Sequence, residues 1–169
     1  MLSVPRAKLP LLLLLFLLLQ LTVLAHLRVF GVAPDVMLLL AVAGGVVGGP
    51  QLGALLGFAA GLTFDLFLET PLGLSALVFC LIGYAVGNIQ GGVLRASWWI
   101  PVLTTLAATV AGELVYALVA TVVGQPHLVT PHLLVIAGVV GVFNAVAAPV
   151  ALRLVRWATT DSDRSAYSI

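Results

Sequence analysis

Apolar positions in this chain come in long runs, with the polar residues gathered between them. A helix needs about 20 apolar residues to cross roughly 30 Å of hydrocarbon. Leu9–Ala25, Leu72–Val86, Trp98–Val123 and Leu133–Trp157 each predict a membrane helix on this pattern. The stretch Val36–Leu68 is too long for one straight span, and Gly48-Gly49-Pro50 breaks it near the middle. Each half has about 15 residues, or roughly 22 Å as a helix, which is short for a crossing. The stretch is therefore either two short spans or a re-entrant helical hairpin. Both return the chain to the side it left.

Charge decides how the runs are threaded. Of the seven basic residues, Arg6, Lys8, Arg95, Arg153, Arg156 and Arg164 share one side if the central stretch turns back, leaving only Arg28 on the other. Basic residues gather on the cytoplasmic side of membrane proteins. The sequence thus predicts six spans with both termini cytoplasmic, in a bacterial inner (plasma) membrane. Residues 1–158 form one membrane domain and 159–169 a short polar tail. Gly31–Pro34, Glu69–Pro71 and Gly124–His127 are expected external turns, and Asn88–Arg95 the main internal loop. Trp98, Trp99 and Trp157 mark the cytoplasmic interface. The start, with Arg6, Lys8, a leucine run and Val23-Leu24-Ala25, also resembles a signal peptide. Its apolar core exceeds the usual length of about 7–15 residues, so it is read as a retained span.

Composition agrees. The chain is 62% hydrophobic and 8% charged, and its mean hydropathy is +1.24. Soluble domains carry about 25% charged residues, so a water-soluble globule is excluded. A net charge of +1, without a basic patch, gives no reason to expect nucleic acid. The single cysteine, Cys80, excludes a disulfide framework.

Within the apolar runs, one pattern is special. Gly53, Gly57 and Gly61 recur every fourth residue and are continued by Asp65. That spacing places all four on one side of a helix, giving a face without side chains that ends in a carboxylate. Such faces let helix backbones approach closely in lipid. The face serves either packing within the chain or docking of another protein's helix. A second ladder, Gly83, Gly87 and Gly91, follows.

Few residues offer chemistry. Glu113 falls near mid-bilayer, where a charged carboxylate costs at least about 2.5–3.5 kcal/mol, and no Lys or Arg of this chain shares its depth. It is expected to be neutral, bonded to Asn144 or a threonine hydroxyl, or paired with a partner's group. Asn144 in the last run reads as helix-to-helix glue. His127 and His132 lack a third ligand for a metal. Ser75 lacks the flanking glycines of a nucleophile elbow. No catalytic set, cofactor or metal site is expected.

The arrangement resembles the MreD family of bacterial rod-shape membrane proteins. The likeness rests on Pro34-Asp35, the glycine-rich break, GxxxGxxxGLxxD from Gly53 to Asp65, Pro71-Leu72-Gly73, Ser75-Ala76-Leu77, Gly83-Tyr84 and Gly87. It implies a non-enzymatic subunit of the elongation complex that binds MreC. Further implied partners are RodA, a class B penicillin-binding transpeptidase and the filament protein MreB. It also implies a compact all-α bundle of six transmembrane helices, similar in fold to the substrate-binding subunits of energy-coupling-factor transporters. A vitamin-type substrate-binding subunit of an uptake system is the alternative, with Glu113, Asn144 and Ser75 as its available polar contributors.

Overall fold

The computed structural model describes residues 8–24, 32–67, 71–93, 99–124 and 132–160. Its regular elements are helices: α1 (Lys8–Leu18), continued by wider π-type turns over Leu19–Leu24, then α2 (Val36–Asp65), α3 (Leu74–Val93), α4 (Ile100–Val122) and α5 (Leu133–Thr159). Arg6, Arg28, Glu69, Arg95, Trp98, His127 and the tail beyond Thr160 lie outside the described residues. The ends of the predicted runs shift by a few residues. One expectation is corrected: the internal loop does not begin at Asn88, because α3 remains helical through Val93. Glycine breaks helices in water partly because its exposed backbone is solvated there. In hydrocarbon that backbone has no partner but its own helix.

Among the described residues, three helices are long and apolar enough to cross a membrane, namely α2, α4 and α5. Lys8–Thr22 and Leu74–Gln90 are shorter apolar stretches. For α2, length alone misleads. Gly49 sits at φ 78°, ψ −171°, a region that is essentially glycine's alone, and Pro50 follows without an N–H to continue the ladder. In a straight helix Gly45 and Gly53 would stand about 12 Å apart. Here a methyl added to Gly53 would lie 2.8 Å from Gly45 Cα, and one added to Gly44 would lie 3.4 Å from Gly53 Cα. The two arms, 36–48 and 50–65, therefore fold back on one another as a hairpin with its tip at Gly49-Pro50. They reach roughly 20 and 24 Å.

The first arm is the axis of the molecule. Every residue from Val36 to Gly45 is buried, which is why its sequence is apolar all round with no polar face. Helix α3 lies along the hairpin, α4 pairs with α5, and α1 closes the remaining side against α2 and α5. Lys8 Nζ stands 4.8 Å from the centre of the Trp157 ring, which puts the start of α1 and the end of α5 at one end of the bundle. The outer faces carry large apolar side chains, among them Leu77 and Leu81 on α3, Leu103 and Leu118 on α4, and Val146 and Val150 on α5. Apolar outside and small residues at the helix contacts is how a bundle packs in lipid.

The tightest of those contacts joins the second arm of α2 to α3. Gly61 meets the backbone at Ser75 and Ala76, Gly57 meets it at Phe79 and Cys80, Gly53 meets Gly83, and the tip at Gly49-Pro50 meets Gly87. Each four-residue step down one helix matches a four-residue step up the other, an antiparallel register with backbone against backbone. On the first arm, Gly45 brings its backbone to Gly83 and Gly87 as well. A methyl at Gly57 would stand 2.5 Å from the Phe79 carbonyl carbon, and backbone cannot step aside as a side-chain tip can. Gly57→Leu is accordingly expected to destabilise the fold by about 3 kcal/mol or more, since even modest overpacking of a core costs about 1–3 kcal/mol. Gly138, where an added methyl meets nothing within 4 Å, should accept alanine without loss. Thermal unfolding of the purified variants in detergent checks both, and a Gly57→Leu protein as stable as the parent would contradict the register.

Candidate functional site

Asp65 ends the second arm beside the start of α3. Its Oδ2 accepts from Gly73 N at 2.8 Å and Ala76 N at 3.4 Å, and its Oδ1 accepts from Ser75 N at 3.2 Å. The first N–H groups of a helix have no partner within it, and here a carboxylate from the preceding helix satisfies them where the helix dipole also favours negative charge. The side chain is 1% exposed. Gly53, Gly57, Gly61 and Asp65, the face expected from sequence to receive a partner helix, are thus filled by α3 of the same chain. Four-residue glycine spacing says that a backbone comes close. It does not say whose.

At the same open end of the hairpin, the polar groups around the start of its first arm form a second assembly. Asp35 caps the first arm, its Oδ1 accepting from Met37 N at 2.9 Å and Leu38 N at 3.0 Å. Gln20, buried on the wide turns that extend α1, donates through Nε2 to the Pro34 carbonyl at 2.9 Å and accepts at Oε1 from Val36 N at 3.0 Å. Asn144 donates through Nδ2 to the Asp35 carbonyl at 2.8 Å and to Thr109 Oγ1 at 3.3 Å. Three helices are thereby tied to the entry of α2. Asn144 is eleven residues into α5, about 16 Å along it, so the knot lies at hydrocarbon depth.

Beside the knot is a half-open cavity of about 200 Å³. Asp35 and Glu113 both line it, with Ser75, Phe64, Phe79 and Tyr116. The sequence expectation that Asn144 or a threonine would satisfy Glu113 is not met. Both amide hydrogens of Asn144 go to Asp35 and Thr109, and Thr105 bonds back to Pro101. Glu113 instead shares the cavity wall with Asp35. Ser75 is fully buried and its Oγ has no partner, as is true of Asn144 Oδ1.

Sequence reasoning missed Asp35 and Gln20 as members of this assembly. Asp35 carried a signal, since a carboxylate just before an apolar run is a helix cap. Gln20 carried one too, as the only amide in the leucine run of α1. Cys80 is partly buried. Among the described residues, no group of three or more His, Cys, Asp or Glu could hold a metal.

A helical bundle with a lipid-type exterior, a broken central hairpin and buried polar ties defines a small integral membrane protein. Its family follows from comparison with known proteins. The family described as rod shape-determining protein MreD matches residues 5–150, most of the chain. The chain belongs to the MreD family. None of the curated proteins matches it, and no solved structure does.

Removing the Asp65 carboxylate strands three N–H groups in a buried place, and each such loss costs about 1–3 kcal/mol. Asp65→Ala should therefore lower stability by about 3 kcal/mol or more. Asp65→Asn, which keeps one accepting oxygen, should fall between the variant and the parent. Unfolding midpoints in detergent test that order, and equal stability of Asp65→Ala and the parent would remove the cap from the account.

Proposed function

We propose that this protein is a non-catalytic membrane subunit of the bacterial elongation machinery, binding MreC and supporting side-wall peptidoglycan synthesis and cell shape. The family match over residues 5–150 carries the reading. RodA, a class B penicillin-binding transpeptidase and MreB belong to the same proposal. The polar groups of the fold are consistent with it: Asp65, Gln20 and Asn144 are engaged in holding helices. With the glycine face occupied by α3, MreC is proposed to meet the apolar outer surface instead. The uptake-subunit alternative draws no support from the family match.

The proposal includes an inner-membrane, six-pass topology with both termini cytoplasmic, counting the α2 arms as two short passes in a body like the energy-coupling-factor subunits. The reversal at Gly49-Pro50 supports it, as does the six-to-one division of basic residues that this threading would give.

Two measurements test these statements. Full-length chain extracted in mild detergent should retain MreC, and its depletion should turn rods into spheres while side-wall incorporation of peptidoglycan label falls. Recovery free of MreC, together with unchanged shape on depletion, would reject the role. In a Cys80→Ser background, cysteines at Ala96 and Ser162 should be shielded from an impermeant maleimide in intact cells, and one at Thr130 should react. The reverse labelling would reject the topology.

A further inference from the structure

The cavity beside Asp35 is more than a packing gap. Its described polar lining is the two carboxyls of Asp35 and Glu113 with Gln20, Tyr116 and the Ser75 hydroxyl, and among the described lining residues there is no lysine, arginine or histidine. Asp35 uses only Oδ1 for its cap, so Oδ2 remains available to a ligand. Ser75 Oγ is fully buried and unpartnered, although a buried hydroxyl ordinarily finds a partner. The remaining walls include three aromatic rings, Phe64, Phe79 and Tyr116, whose faces attract cations. The space of about 200 Å³ suits a small head group and excludes a bulky one.

We propose that this cavity is a binding site for a primary ammonium group. Three N–H donors of an alkylammonium meet three acceptors: Asp35 Oδ2, the Glu113 carboxylate and Ser75 Oγ. A single positive charge offsets the repulsion between the two acids, and the rings enclose the adjoining methylenes. Two carboxylates and a hydroxyl give a poor set for zinc or copper, which favour nitrogen or thiolate ligands. The ammonium comes either from a free amine or from a phosphatidylethanolamine head group, which share this chemistry. The inference concerns occupancy of a resident site and stands whether or not the chain binds MreC.

Purified full-length protein in detergent is titrated with ethanolamine hydrochloride, with choline chloride and sodium chloride at matched ionic strength, and the midpoint of thermal unfolding is read. Ethanolamine should raise it progressively, because a ligand of the native state stabilises by mass action, while choline, lacking N–H donors, and sodium should not. Glu113→Gln should raise the half-effective concentration by about tenfold, the equivalent of one lost charged contact. Ser75→Ala removes a hydroxyl that bonds to nothing in the empty site, so it should fold normally and still weaken the response. Short-chain phosphatidylethanolamine, compared with the phosphatidylcholine analogue, separates the sources. Stabilisation at lower concentration than free ethanolamine assigns the lipid head group, and a response to ethanolamine alone assigns a soluble amine. No stabilisation by either amine, equal stabilisation by choline, or a response undiminished in both variants overturns the proposal. A rise seen only when another protein is added, as a partner's lysine would produce, overturns it too.

Discussion

Everything in this fold depends on bringing two helix backbones into direct contact inside a medium that supplies no hydrophobic push. Lipid tails are as apolar as leucine, so burying leucine gains little there, and association must come from close packing and satisfied polar groups. The second arm of α2 and α3 achieve this through matched glycines, Gly53 with Gly83 and the hairpin tip with Gly87. Asp65 then fastens the open end by capping α3. The first arm, with Gly45 against Gly83, is held in the same clasp, and the outer helices are laid around it.

The polar residues follow a related logic. Where the central hairpin begins, the chain must enter the layer with unpaired backbone groups, which are costly in hydrocarbon. Gln20, Asp35 and Asn144, drawn from three separate helices or their ends, satisfy that entry from three sides. Residues that looked like isolated curiosities in sequence are thus one connected support. Glu113 and Ser75 stand apart from it, facing the cavity without a part in the support.

The membrane class, the helices and the break at Gly48-Gly49-Pro50 were legible because hydrocarbon thickness and helix rise constrain sequence so tightly. Gly53, Gly57, Gly61 and Asp65 were legible as a surface but not as to its occupant, since identical spacing suits an internal or a foreign helix. The pairing became visible only once Gly73, Ser75 and Ala76 were seen at the carboxylate of Asp65, ten residues or so away. Asp35 was legible as part of a family motif, but its place in the support was hidden for another reason. Read as a loop charge, it belongs in water, whereas the chain folds its loop inward to meet Asn144, 109 positions away. Glu113 was singled out by its place in an apolar run, but its company of Asp35 depended on that same inward fold.

One consequence concerns the surrounding lipid. The second arm of α2 turns Leu55, Phe58 and Leu62 outward, yet it reaches only roughly 24 Å beside a hydrocarbon layer of about 30 Å. Acyl chains bordering it must splay or shorten, at a cost of fractions of a kcal/mol for each ångström of mismatch. The protein therefore carries a built-in dimple in its annulus, and thinner patches of bilayer are its more comfortable surroundings.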